Sequence, residues 1–392
     1  MKRDDIYLDY NASTPCDPRV VEAMLPYLTQ TYANPSSRNH HPGREAYAAL
    51  EKARGTVARA LGCRSGTEIV FTSGATEANN LVLSGIATAM TSRGRHIVTQ
   101  TTEHPSVLEP LRHLQRNGWE LTEIGVDCEG RIRLDELEAS LRDDTVLVSL
   151  MLANNETGTV QPVRDASQIA HRRDVMLHCD AAQGVGKLVL DIDQLEVDFL
   201  TLSGHKVYAP KGIGALFIRR TKPPLRLPPS IRGGGHEGGL RSGTPNLAGA
   251  VALARALEIA GQEVASESGR LAELRDRLEG RITAGVTDAK VNGSRENRLP
   301  GTSNISFAAV DGNALLASLP DVAVSTGSAC TSVHSEASPV LRAMGVQAQL
   351  AKASLRLSLG RFTTREEVDR AAERIVTEVT RLRTVKRRPQ ST

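Results

Sequence analysis

The sequence predicts an α/β fold: a parallel or mixed sheet covered by helices on both faces, followed by a smaller α+β unit. Three observations carry this. Short, near-continuous apolar strands alternate with helix-patterned runs between about residues 45 and 220. A glycine-rich stretch, Arg232-Gly-Gly-Gly-His-Glu-Gly-Gly239, then interrupts the pattern. Beyond it, charged amphipathic helices dominate and strand candidates become sparse.

The elements follow in order. Residues 44–61 put Ala46, Ala49, Leu50, Ala53, Val57 and Leu61 at helical spacing and stop at Gly62. Residues 68–72, Glu-Ile-Val-Phe-Thr, are short, apolar and β-branched, which reads as a buried strand, and a helix follows from Glu77. The same texture predicts strands at 96–99, 121–126, 145–152, 175–178, 198–202 and 215–218. After the glycines, one helix ends near Gly261 and a second aligns Leu271, Leu274, Leu278 and Ile282. Strands are expected at 303–307 and 354–358, then a last helix from Glu366 to about Leu382. The end of the chain, from Lys386, is basic and polar and reads as a frayed, solubilising tail. A large domain at 15–262 and a small one made of 1–14 and 263–392 are expected.

Composition narrows the function classes. Lys and Arg number 48 against 45 Asp and Glu in 392 residues, a net charge of +3, too balanced to argue for nucleic-acid binding. One Trp, six Tyr and five Phe leave few stacking platforms for single strands. No apolar run approaches the roughly 20 residues that span a bilayer, and the charged N-terminus lacks a secretory apolar stretch, so a cytoplasmic protein is expected. Five scattered cysteines (Cys16, Cys63, Cys128, Cys179, Cys330) form no CxxC pair, which argues against a disulfide framework or a cysteine zinc site.

Several strand ends carry chemistry. Ser73-Gly74-Ala75-Thr76-Glu77 leaves a strand and opens a helix, either as a cradle for a phosphate or as a capped turn. Asp180 in His178-Cys179-Asp180-Ala181-Ala182-Gln183 ends another strand, where ligands bind in open sheets; a helix cap is the alternative. Lys206 in Ser203-Gly204-His205-Lys206 would alone be a solvated charge, and His104 in Thr102-Glu103-His104 a buried or capping histidine. Taken together they match the needs of pyridoxal phosphate: an anion cradle, an acid for the ring nitrogen, a lysine for the aldehyde and a group against the ring face.

These segments, with Asn-Asn-Glu-Thr-Gly158, Arg241-Ser-Gly-Thr244 and Ser325-Thr-Gly-Ser-Ala-Cys330, resemble the pyridoxal-phosphate-dependent cysteine desulfurases of the NifS/IscS type, within the class-V aminotransferase-like group. The resemblance runs in motif order from about Tyr7 to about Thr363. It implies a fold-type I transferase with a mixed seven-stranded sheet in the large domain. Lys206 would hold pyridoxal 5′-phosphate covalently, Asp180 would pair with the ring nitrogen, and His104 would stack on the ring and move protons. Gln183 would bond the phenolic oxygen, with Asn155 between that oxygen and the substrate carboxylate. Ala75, Thr76, Ser203 and His205 would hold the phosphate, helped by Thr244 from the second subunit of a homodimer. Arg356 would clamp the substrate carboxylate. Cys330, on a loop of small residues at about 325–338, would take sulfur from L-cysteine as a persulfide, leaving L-alanine, and pass it to an acceptor or scaffold protein. Iron–sulfur assembly, tRNA thiolation and DNA sulfur modification are the open destinations. No resident metal is implied, beyond a cluster shared transiently at Cys330.

The chain departs from the family pattern at Ala209, where glycine is usual, in Asn11-Ala-Ser-Thr-Pro15, at His334 and in the short basic C-terminus. The last feature argues against a dedicated scaffold partner. The nearest competing reading is another enzyme of the same fold, a selenocysteine lyase or an aminotransferase. A non-catalytic sulfur carrier is disfavoured by the Asp180 and Lys206 pair.

Overall fold

The computed structural model describes residues 5–221, 225–326 and 337–387. Twelve strands are described: β1 (Ile6–Tyr7), β2 (Ile69–Thr72), β3 (His96–Gln100), β4 (Glu120–Ile124), β5 (Thr145–Met151), β6 (Met176–Asp180), β7 (Phe199–Ser203), β8 (Gly214–Ile218), β9 (Ala289–Asn292), β10 (Thr302–Phe307), β11 (Val322–Ala323) and β12 (Ser354–Ser358). Seven of them form one sheet in the order β2-β8-β7-β6-β5-β3-β4. Only β8 runs against its neighbours, pairing antiparallel with both β2 and β7, so the sheet is mixed. β2, β3, β5 and β7 are buried along their whole length because helices cover both faces; β4, at the edge, is half open.

A second sheet, β12-β10-β9, is antiparallel, and β1 pairs in parallel with β11. The chain start packs here. Ile6 and Leu8 share an apolar core with Leu271, Leu278, Phe307, Leu357 and Ile375, separate from the cores around the seven-stranded sheet.

The long helix corrects the sequence reading. Instead of one helix ending near Gly261 and another after it, a single 39-residue helix runs from Leu247 to Gly285. Its first half buries Leu253, Leu257 and Ala260 in the core of the large sheet, and its second half buries Leu271, Leu278 and Ile282 in the other. The apolar stripe changes partner at mid-helix, so the pattern breaks while the backbone does not. A glycine in a helix interior costs only about 1 kcal/mol against alanine, too little to end it. β4 also stops at Ile124, two residues early; Val126 turns away to bridge Ile132.

Because six of the seven strands run one way, the carboxyl ends of β2, β3, β5, β6 and β7 gather at one edge of the sheet. The segments that leave those ends carry every strand-end motif singled out above. No described helix is long and apolar enough to cross a membrane.

Candidate active site

At that edge lies a cavity of about 580 Å³. Lys206, Asp180, His104, Gln183, Asn155, Ala75, Thr76, Ser203, His205 and Arg356 all line it. Thr244 does not; it is exposed, in the turn following the Gly-rich stretch. Cys330 and His334 lie outside the described residues.

The floor is built from β6 and its neighbours. Asp180, the last residue of β6, is buried, with Oδ1 accepting from the Ala182 backbone N–H at 3.0 Å; a turn and not a helix follows, so it is no helix cap. Its Oδ2 accepts from Asn79 Nδ2 at 2.8 Å. Asn79 ends the Ser73–Asn79 run that carries the resemblance but has no role assigned from the sequence, yet it orders the whole floor. Thr201 Oγ1 donates to Asn79 Oδ1 (2.6 Å), which leaves the Asn79 amide two protons to give. One goes to Asp180 and the other to Ser106 Oγ (2.9 Å). The only signal for it is an amide on an otherwise apolar helix face, among Ala78, Leu81, Val82 and Leu83.

His104 stands at the N-cap of the helix Pro105–Arg116, so for it the capping reading holds. The Ser106 backbone N–H donates to His104 Nδ1 (3.1 Å), and Ser106 Oγ sits 2.8 Å from the same nitrogen. Nδ1 is therefore a lone pair and the neutral ring carries its proton on Nε2. Burial pushes the His104 pKa down; Asp180 opposes this and Lys206 adds to it, so the imidazole is neutral at pH 7. Behind the floor, Glu103 is fully buried, and burial together with Asp180 pushes its carboxyl well up, which keeps a second negative charge away from Asp180.

Lys206 closes the turn after β7, and its Nζ donates to the carbonyls of Asn11 and Ala12, the latter at 2.7 Å. The amine is thus held at the cavity wall by the chain start. Beside it His205, whose Nδ1 sits 3.2 Å from Ser13 Oγ, has its pKa lowered to about 4 by burial and by Lys206, Lys211 and Lys187. The departure at Ala209 changes little: the positive φ of this turn falls on Tyr208 (66°), and Ala209 is buried.

The far end of the cavity suits an anion. Gly74 precedes the N-terminus of the helix Ala75–Ala89 and faces Ser203. A Cβ on Gly214 would fall 2.6 Å from Gly74 Cα, so glycine is required for β8 to pass this close beneath the turn. Glu77 occupies one donor of the turn, accepting from Ser73 N (2.9 Å), and its other oxygen pairs with Arg241 Nε (2.9 Å). The remaining turn N–H groups, the Thr76 hydroxyl and Ser203 match a phosphate.

Opposite stands Arg356 of β12. It is no surface arginine: it is 3% exposed, bonded to Asp9 Oδ1 (2.7 Å) and Asn155 O (3.2 Å), and its buried Nε has no partner among the described residues. A buried guanidinium that lines the cavity suits a carboxylate. The backbone of Arg356 also exchanges two hydrogen bonds with Ser325, and Ser338 Oγ donates to the buried Glu156 Oε2 (2.5 Å). Both ends of the segment that carries Cys330 are therefore tied next to the Asn155–Arg356 wall.

An anion cradle at one end, a buried acid beneath the centre, a lysine at the side and a neutral imidazole on the helix cap fit pyridoxal 5′-phosphate. The comparisons agree. The family described as aminotransferase class-V matches residues 6–371. A cysteine desulfurase IscS of Anaeromyxobacter sp. (strain Fw109-5) is 50% identical over 378 residues, 96% of this chain and 93% of that one. A solved NifS-like protein superposes with a TM-score of 0.90 at 38% identity, covering 96% of this chain and all of the other. The solved structure of SspA in complex with cysteine gives 0.81 at 35% identity, over 92% of this chain and all of the other. The chain belongs to the cysteine desulfurases of the class-V aminotransferase family, whose cofactor is pyridoxal 5′-phosphate.

Proposed function

We propose that this chain removes sulfur from L-cysteine, yielding L-alanine, and hands it through a persulfide on Cys330 to an acceptor protein. The observation that carries the reading is the convergence of Asp180, Lys206 and the buried Arg356 on one cavity whose rim anchors the 326–337 connection. Bound pyridoxal 5′-phosphate supplies an electron sink for the α-carbon of an amino acid.

The residues do the rest. Asp180 would keep a proton on the ring nitrogen, its carboxylate held in place by Asn79 and the Ala182 backbone N–H. Arg356 receives the cysteine carboxylate, with Asn155 alongside. Lys206 Nζ, held near the Asn11 and Ala12 carbonyls, takes the α-proton. His104 Nε2, whose proton is fixed by the bonds at Nδ1, gives and recovers a proton at the substrate side. Cys330 Sγ, as thiolate, attacks the substrate sulfur. The S–S bond forms as the Cβ–S bond breaks, Cβ keeps the electron pair and gains a proton, and alanine leaves.

The described thiols support this choice by elimination. Cys179 is buried in β6, and burial, with Asp180 and Glu103, pushes it well up. Cys63 is pushed up to about 12 by burial and Glu68, Cys16 rises with burial, and the exposed Cys128 does not line the cavity. All four described cysteines are free, which suits a reducing cytoplasm. The reading includes a homodimer in which the exposed Thr244 reaches the partner's phosphate cradle. It also includes a division into a large domain at 15–262 and a small one, with the boundary inside the long helix.

Two variants test it. Lys206→Ala should lose the visible absorbance of covalently held cofactor, whereas Cys330→Ala should keep that absorbance and the spectral response to cysteine but form no alanine. Alanine at the wild-type rate from Cys330→Ala would remove the nucleophile, and a keto acid product from the wild type would favour an aminotransferase.

A further inference from the structure

Lys187 follows β6, four residues beyond Gln183, and no step above uses it. Its Nζ donates to Gln183 Oε1 (2.7 Å) and to Asn11 Oδ1 (2.9 Å). Gln183 Nε2 in turn donates to Asn11 O (2.9 Å), the same carbonyl that receives Lys206 Nζ. Asn11 Nδ2 reaches Thr302 Oγ1 (3.0 Å) and Asn155 O (3.3 Å), and its backbone N–H reaches Ser358 Oγ (2.9 Å). One amine thus sits between two amides that touch the catalytic lysine, the substrate wall and the small sheet.

A side-chain amide has nearly the same shape when turned by 180°; only its partners decide which end is oxygen. A lysine amine carries donors and, while protonated, no acceptor. Placed between Gln183 and Asn11, it draws both amide oxygens to itself. The Gln183 NH₂ then faces Asn11 O and the cavity, and the Asn11 NH₂ faces Thr302 and Asn155. We propose that Lys187 is a positioning residue that fixes both amides in one orientation, so that Gln183 presents a donor to the cofactor and Asn11 keeps its carbonyl on Lys206. The proposal rests on the reading that Gln183 lines the cofactor site.

The surroundings of Lys187 suit an orienting role better than an ion pair. Both side-chain acceptors are neutral amides. Burial, and then the cations Lys206 and Arg356, push its pKa well down, while Glu267 and Tyr208 line the narrow crevice on its other side. Even a neutral amine keeps two N–H groups, the number that Gln183 and Asn11 require.

The test uses the cofactor-loaded, full-length protein without cysteine. The pH midpoint of the cofactor's visible absorbance change and the rate of cofactor release are measured for Lys187→Met, Gln183→Leu and the double variant. Both single variants should move the midpoint in the same direction by about half a pH unit or more and speed release. The double variant should move it no further than the larger single one. Lys187→Gln should behave like Lys187→Met, since glutamine can itself turn over, and it replaces the methionine variant should that one fail to fold. A Lys187→Met midpoint equal to the wild type beside a shifted Gln183→Leu, or shifts that add, would overturn the orienting role alone. An unmoved Gln183→Leu midpoint would overturn the placement of Gln183 at the cofactor and the proposal with it.

Discussion

Arg356 concentrates the specificity argument on one side chain. Its guanidinium is buried, lines the cavity and already serves Asp9 and Asn155 O. A lysine there could keep the ion pair with Asp9, but as a single point of donors it cannot serve those two acceptors and also a carboxylate in parallel. Arg356→Lys should therefore raise KM for cysteine at least about tenfold, a loss of about 1.4 kcal/mol of binding, and change kcat far less. Steady-state alanine formation checks the split, and the cofactor absorbance without substrate should be unchanged. A fall in kcat with KM constant would mean that the guanidinium acts on the reacting bonds and not on the carboxylate. Apart from the family resemblance, nothing in the sequence sets Arg356 apart from the other arginines. Its burial is created by the pairing of β10 with β12 and by the chain start arriving from 347 residues away, neither of which is a local property.

Strands and turns were the legible part of the fold, because a short apolar run between breakers has few alternatives inside a covered sheet. Residues 68–72, 96–99 and 145–152 became β2, β3 and β5 nearly as read. Chemistry at strand ends was legible for the same reason, since parallel strands deliver their carboxyl ends to one edge. Asn79 and Asn11 were not, as their meaning lies in partners distant in sequence. The long helix escaped because its two halves face different cores, and Gly261 and Gly269 sit where the stripe shifts. Both glycines are exposed, and a Cβ on either would meet nothing within 4 Å. No packing requirement keeps them there. Gly261→Ala should stabilise the protein by about 0.5–1 kcal/mol through helix propensity and a less flexible unfolded chain. A higher urea midpoint with unchanged alanine formation is the expected result. A loss of activity at unchanged stability would instead mean that the helix must bend at mid-length.

At the scale of the whole molecule, the two cores are joined by a cluster of charges as well as by the long helix. Asp17, buried at the start of the helix Pro18–Met24, accepts from Arg19 and, through Oδ2, from Arg361 Nη1 at 2.7 Å. Arg361 follows β12, stacks over the Tyr208 ring with its Cζ 4.3 Å from the centroid, and also pairs with Glu267 of the long helix. Its backbone N–H donates to the Tyr208 hydroxyl. One arginine therefore binds the small sheet to the turn of Lys206 and to the first helix. The Arg19 and then the Arg361 guanidinium hold the Asp17 carboxyl well below the usual carboxylate range. The sign follows from linkage. A carboxyl whose folded pKa lies below its unfolded one, roughly 3.9, contributes stability that is fully present above that value and is lost as the pH falls toward the folded pKa. Asp17→Asn leaves Arg361 buried with one acceptor fewer, and it should cost about 2–4 kcal/mol at pH 7. The gap in melting temperature between wild type and variant should stay constant from pH 8 to about pH 5 and narrow only below about pH 4. A gap that closes already between pH 7 and pH 6 could not come from a carboxyl whose folded pKa is depressed, and would take Asp17 out of the junction between the two cores.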